Sequence, residues 1–412
     1  MASVALPAEG AGFGIFQQGA KAMGMAGAFT AQADDPSALF HNVGGIAHQK
    51  ERAFQLGATL IGVSSSDFVG SPPGIAVGTT AESEPLLEVP PHFYWVEPMG
   101  DRLTFGLSVN SPFGLTSEWT EPEFPGRYIS RMASLVSYDV SSNLGWKASD
   151  TIGIGFGAIV RYSEVELEVD LPSFDPGAGQ VVDVAHLASE TDLEAGFGFQ
   201  LGVSSHPNPS WSWGFSYRSA IEIDYAGSGR LRQILTGNRG LDDLIAATIP
   251  FDQDLPVTTA IEFPDMASVG LAVKPSRDWL IEVDVNWAGW STLTAYDIRF
   301  PQNPEFDRVY RQDWEDVYSY RLGASRSTAR GEWRFGFSFD ETPLSLGALG
   351  PLLPDGDQTA ITLGYGFEAG TSTVDLALMA VDIGKRRTTV SFEDFNGSFE
   401  SSGLLFASTV TW

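Results

Sequence analysis

The sequence predicts an all-β protein, a 14-stranded antiparallel transmembrane β-barrel with a small, partly helical N-terminal hatch plugging the lumen. Three observations predict it. Apolar residues recur with period two through most of the chain. The connections between these segments alternate between short and long. The first 50 residues lack the alternation and read as a separate segment.

Successive side chains of a strand point to opposite faces, so period two reads as β-structure. Trp211, Trp213, Phe215 and Tyr217 alternate with Ser212, Gly214, Ser216 and Arg218. Trp279, Ile281, Val283, Val285 and Trp287 alternate with Leu280, Glu282, Asp284 and Asn286. Trp333, Phe335, Phe337 and Phe339 do so with Arg334, Gly336, Ser338 and Asp340. A half-buried strand of a soluble sandwich also alternates. Here, however, the apolar faces are large and aromatic, and the opposite faces carry charge and glycine.

Fourteen candidate strands start near residues 51, 87, 101, 132, 150, 188, 210, 254, 277, 313, 331, 357, 371 and 398. Short connections such as Pro98–Asp101 and Lys147–Asp150 alternate with long ones near 65–86, 112–131, 171–187, 228–253, 300–312, 341–356 and 385–397. Tight turns at one end and long loops at the other are the pattern of an even-stranded outer-membrane barrel. The final strand places Leu404, Phe406, Ser408, Val410 and Trp412 on one face.

Composition narrows the function. No run of roughly 18 apolar residues appears among the 412, so no transmembrane helix is expected. There is no cysteine, which excludes disulfides and thiolate metal sites. A net charge of −28 argues against nucleic acid. The start lacks the basic and apolar stretches of a signal peptide, so the chain reads as a mature form whose leader has been removed. The five histidines make no metal-type spacing, and no nucleophile elbow or phosphate loop occurs. No catalytic residue, metal or cofactor is therefore assigned, and the chain reads as a non-enzyme.

Residues 1–50 form the hatch and residues 51–412 the barrel. Asp34-Asp35-Pro36 marks a helix start, since Asp accepts from free N–H groups and Pro suits a first turn. Ala20–Ala31 forms a second short helix in this reading. Such a segment is too small for its own core, so it belongs in the lumen. Its apolar groups include Phe13, Ile15, Phe16, Met23, Phe29 and Phe40. Some pack as core; others line a pocket for an apolar molecule, since ligand sites are mostly apolar with few polar groups. Arg161, Arg218, Arg321 and Arg334 point inward by strand parity. They are candidates for a carboxylate cargo, or for structural pairs with acids such as Glu222, Asp224, Glu282 and Asp284.

Proline cannot donate to a sheet ladder. Pro90 and Pro91 in the second strand, with Pro112, Phe113 and Gly114 at the end of the third, thus mark a break in the wall. Pro112 alternatively just begins an external loop.

Several stretches resemble the FadL/TodX family of outer-membrane transporters for fatty acids and aromatic hydrocarbons. Ala11-Gly12-Phe13, Gly24 to Ala28, Ala33-Asp34-Asp35 and Asn42 are similar to its hatch. Asn110 to Leu115 with Glu118 resembles the end of its third strand. Tyr217-Arg218-Ser219, Pro264-Asp265-Met266, Trp290-Ser291, Trp333-Arg334, Phe339 to Pro343 and Pro354 to Gln358 follow in family order. The resemblance implies a monomeric fourteen-stranded barrel in the bacterial outer membrane, in contact with its lipid and lipopolysaccharide. It implies passive uptake of a hydrophobic compound, above all long-chain fatty acids, with binding in the lumen and lateral release at a kink in the third strand. Aromatic hydrocarbons or alkanes are the alternative cargo; a surface receptor or adhesin, or an open porin, is the alternative function. The family's basic headgroup contact falls within one residue of Arg161. Where the family has Asn-Pro-Ala, this chain has Asn42-Val43-Gly44-Gly45, which predicts a looser turn behind an Asn42 that still ties hatch to wall.

Overall fold

The computed structural model describes residues 12–412. The first eleven residues of the expected hatch, Ala11 of the family-like motif included, lie outside that range. Alternation carries the chain around a closed ring. Its strands are β1 (Ala53–Val63), β2 (Pro91–Pro98), β3 (Leu103–Asn110), β4 (Met132–Lys147), β5 (Ile152–Asp175), β6 (Glu194–Asn208) and β7 (Trp211–Arg218). They continue with β8 (Met266–Val273), β9 (Trp279–Ala288), β10 (Val317–Thr328), β11 (Gly331–Asp340), β12 (Gln358–Ala369), β13 (Ser372–Thr388) and β14 (Gly397–Thr411). Each pairs antiparallel with the next. β14 returns to β1, from Gln55 opposite Thr411 to Val63 opposite Gly403, so the barrel is closed.

The apolar face is the outer one. Trp213, Phe215, Val283, Val285, Phe335 and Phe337 are exposed. Ser108, Asn143, Gln200 and Ser338 on the inner faces are buried. A soluble protein would invert this arrangement; a wall facing lipid requires it.

Two expected strand starts are corrected. Those near 188 and 254 fall in strands Gln180–Thr191 and Asp254–Phe263, which lie outside the ring, whereas the wall strands begin at Glu194 and Met266. Together with Ile221–Gln233 and the upper half of β5 they form a sheet that stands above the barrel. β5 has 24 residues, whereas a bilayer needs roughly 9–11. The stretch near 171–187, read from sequence as a loop, is thus largely strand, and the one near 228–253 holds the end of a strand and a helix, α3 (Arg239–Thr248). Leu255, Val257, Ile261 and Phe263 alternate like a wall strand but bury their apolar side inside the extension. Periodicity alone does not distinguish the two settings.

The hatch lies in the lumen. Its first helix, labelled α1 (Ala20–Met23), has only four residues instead of running to Ala31. Gly24 and Gly27 end it, the latter at φ +77°. The second, α2 (Ala38–His41), follows Asp35, whose Oδ1 accepts from the Ser37 N–H at 2.8 Å. A 3-10 turn follows at Val43–His48.

Val283 tests which face meets lipid. Val283→Arg on the outer face is expected to lower stability by about 2–4 kcal/mol in bilayers. Denaturant titration of protein refolded into lipid vesicles measures this, and an unchanged midpoint would contradict the outward assignment.

Candidate functional site

The wall is interrupted at one level. β2 and β3 pair only as far as Phe93 opposite Val109. Beyond that point the chain of β2 keeps its partner β1, through Pro91 opposite Ala58 and the Thr59 N–H donating to the Pro90 carbonyl. On the other side, β3 kinks at Ser111-Pro112-Phe113. It resumes pairing with β4 from Gly114 opposite Val136. Among the described residues no backbone hydrogen bond joins 85–92 to 110–117; the next contact is the Glu84 N–H on the Glu118 carbonyl at 2.8 Å.

The kinked segment pairs inward instead. The Ile15 N–H donates to the Pro112 carbonyl at 2.7 Å, and the Gly114 N–H to the Phe13 carbonyl at 2.9 Å. Ser137 Oγ donates to the Phe113 carbonyl at 2.7 Å. The hatch thus supplies the ladder partners that β2 does not.

An aromatic cluster lies directly behind the opening. Phe13 meets Trp290 at 4.7 Å between ring centroids, Trp314 at 5.6 Å, Phe263 at 5.9 Å and Phe113 at 6.0 Å. The Arg161 guanidinium sits over Phe113 and Phe263. Its Nε and Nη2 donate to the two oxygens of Asp139 at 2.7 and 2.8 Å. Arg161 therefore points inward, with its fork already occupied. Further out, a small apolar cavity opens among Leu115, Leu135, Leu167, Ile261, Tyr310 and Leu353.

The other expected contact residues separate into two groups. Phe16 and Phe40 line a second, small cavity between hatch and wall. Ile15 and Met23 are packed against wall residues such as Val136 and Met379, and Phe29 lies edge-on to His41 at 5.5 Å. The convergence of Phe263, Trp290, Trp314 and Tyr310 escaped the sequence reading because they come from distant segments that only the closed ring brings together.

The acids expected to pair with the arginines do other work. Glu222 and Asp224 are exposed on the outer extension. Glu282 and Asp284, both buried on β9, receive the backbone of the hatch. Asp284 accepts from the Phe29 and Thr30 N–H groups at 2.9 Å, and Glu282 from Ala31 at 2.6 Å. The inward arginines pair instead with Asp139, Asp340 and Asp375. Asp139 and Asp340 face Arg161 and Arg321 from the neighbouring strand, and Asp375 reaches Arg334 from two strands away, a register that sequence spacing did not reveal.

Asn42 Nδ2 donates to the Val203 carbonyl of the wall at 3.0 Å and to Thr30 at 2.7 Å, while its Oδ1 accepts from Gly44. The turn behind it is tight, contrary to the expectation. A Cβ on Gly44 would lie 2.8 Å from the backbone of Gly202, so glycine permits backbone-on-backbone contact with the wall.

Outside the membrane-spanning part, His186 bonds Asp170 at 2.9 Å and faces Glu168 at 3.3 Å, with Arg131 on the other side of Asp170. These carboxylates raise His186 from 6.5 to about 9. A raised value in the folded state means its stabilising effect is full below pH 6.5 and is lost as pH rises through 9. An NMR titration of the His186 ring should show a midpoint near 9, and Asp170→Asn should move it down.

The hatch contacts predict a second outcome. Glu282→Gln with Asp284→Asn, or Gly44→Val alone, should loosen the hatch and raise single-channel conductance in planar bilayers severalfold. Conductance equal to that of the unaltered protein would show that these contacts do not hold the plug.

The sequence profile of the family described as "Outer membrane protein transport protein (OMPP1/FadL/TodX)" matches residues 1–412. The "Long-chain fatty acid transport protein" of Escherichia coli (strain K12) is 23% identical over 440 residues, covering 98% of this chain and 94% of that protein. The crystal structure of a Pseudomonas aeruginosa FadL homologue superposes with a TM-score of 0.83 at 20% identity, over 98% of this chain and 99% of that one. The Ralstonia pickettii toluene transporter TbuX superposes with a TM-score of 0.69 at 18% identity, over 96% and 99%. At these identities the structural likeness establishes the fold.

Proposed function

Since the chain belongs to the OMPP1/FadL/TodX family of outer-membrane transport proteins for hydrophobic compounds, we propose that its cargo is a long-chain fatty acid, bound in the lumen and released sideways into the membrane. The unpaired wall between 85–92 and 110–117 is the observation that carries this reading. An unbroken ladder would hold the wall closed against lateral exit.

The path follows from the chemistry of each station. The outer apolar cavity takes the molecule from water by burying its chain. The aromatic cluster around Phe13 offers further apolar surface at the level of the kink. Phe13 and Ile15 belong to the hatch and also supply the hydrogen bonds of the kinked segment. Displacing the hatch therefore alters cluster and opening together. Residues 1–50 act as the plug in this scheme, and Pro90, Pro91, Pro112, Phe113 and Gly114 form the opening. The protein acts as a monomer, with lipid and lipopolysaccharide around it.

The named relatives span fatty acids and toluene. Inward arginines beside apolar cavities favour the carboxylate cargo over the hydrocarbon one. Uptake of labelled oleate and toluene into cells lacking their own transporter tests this. Oleate uptake should exceed toluene uptake. Pro90→Val, Pro91→Val and Pro112→Thr combined should abolish uptake, about tenfold or more, in a barrel that still reaches the surface. Undiminished uptake through that variant would remove the wall opening from the pathway.

A further inference from the structure

The unpaired stretch of wall carries a buried carboxyl. Glu88 ends the short strand Leu86–Glu88, opposite Ile61 of β1, and lies within the segment 85–92 that has no ladder partner toward 110–117. Successive side chains of a strand point to opposite faces. Leu87 is 67% exposed on the lipid side, so Glu88 turns inward, where it is only 7% exposed. Among the described residues no ion pair or hydrogen bond reaches its carboxyl.

The surroundings are apolar and bring no compensating charge. Ile61 forms one cluster with Ile15 of the hatch and Val136 of β4, and Tyr138 packs against it. Tyr138 is within electrostatic reach of both Glu88 and Glu164 of β5. None of these groups is a cation. In the lumen, Arg161 and Arg321 are bound to Asp139 and Asp340.

A molecule that leaves through this gap passes Glu88. Two carboxyl groups brought together away from water do not both ionise, so they have to share one proton. An uncharged headgroup meets no such requirement. The hydrocarbon beyond the gap makes the same demand, because a bare carboxylate is far costlier there than the neutral acid.

We propose that Glu88 sets which headgroups can leave: it passes a neutral one and holds back an anion, so that a fatty acid exits in its protonated form. The headgroup gains one proton from the surrounding water, and no other bond changes. This rests on the fatty-acid reading and the lateral opening above, and adds to them a filter for charge.

Protein-dependent uptake of labelled oleate and labelled oleyl alcohol at neutral pH, into cells lacking their own transporter, tests the proposal. The two probes share a tail and differ in headgroup charge. Through the unaltered protein the alcohol should enter faster. Glu88→Gln keeps the size and polarity of the side chain but removes its charge. It should raise oleate uptake about tenfold, since it removes a repulsion between like charges, and leave the alcohol unchanged. Glu88→Thr, also neutral, should act in the same direction, whereas Glu88→Asp should keep oleate slow. An oleate-to-alcohol ratio that neither neutral variant raises overturns the proposal. So does an equal gain for both probes, which would mark a simple widening of the gap. If the unaltered protein carries neither probe above background, the fatty-acid reading itself fails, an outcome distinct from the failure of this filter.

Discussion

Every backbone N–H and C=O in a membrane-spanning wall must find its partner inside the protein, because lipid offers none. The rest of this structure depends on that constraint. A ring of fourteen strands meets it by closing β14 onto β1. A hole in the wall violates it unless something else supplies the missing bonds. Here the hatch does so from within, through Ile15 on Pro112 and Phe13 on Gly114. Proline reduces the demand further, since Pro90, Pro91 and Pro112 carry no N–H to satisfy. The opening and the plug are thus two parts of one hydrogen-bonding solution.

The same accounting explains how the hatch is held. Its helices have four residues each and contribute little stability by themselves. Their backbone groups are met by wall side chains instead. Glu282 and Asp284 take consecutive N–H groups from 29 to 32, and Asn42 bonds the Val203 carbonyl. Most of these are bonds to carboxyl oxygens. Such an attachment is specific in direction and local, so a small displacement breaks it without unfolding the barrel. The apolar contacts of Phe13 with Trp290 and Trp314 remain as a separate anchor nearer the kink.

The barrel was legible in the sequence because its demand is repetitive. Outer faces such as Trp333, Phe335 and Phe337 must be apolar along every strand, and that leaves a period-two record. The prolines were legible for a similar reason, since a missing donor is a property of the residue itself. What stayed hidden depends on register. Arg161 pairs with Asp139 because β4 and β5 set them opposite each other. Nothing in the spacing of 22 residues announces it. The extension was misread for the opposite reason. Leu255 and Val257 alternate as wall residues do, yet they bury against Phe300 and Leu231. Alternation reports that one face is apolar; it does not report whether lipid or protein covers it. The tight turn at Gly44 was hidden because it depends on the glycine it meets, Gly202.

Charge is distributed in a way that bears on the order of events. The chain carries 52 acidic and 24 basic side chains, and carboxylates such as Glu164, Glu166 and Glu190 crowd the outer extension. That exterior repels a fatty-acid anion at long range. First contact therefore has to come from apolar burial in the outer cavity, where Leu167, Ile261 and Leu353 leave little for a headgroup to bind. Inside the lumen the arginines stand beside carboxylates, Arg161 and Arg218 both beside Asp139. The acidic exterior thus leaves capture to apolar burial, which any hydrophobic molecule satisfies.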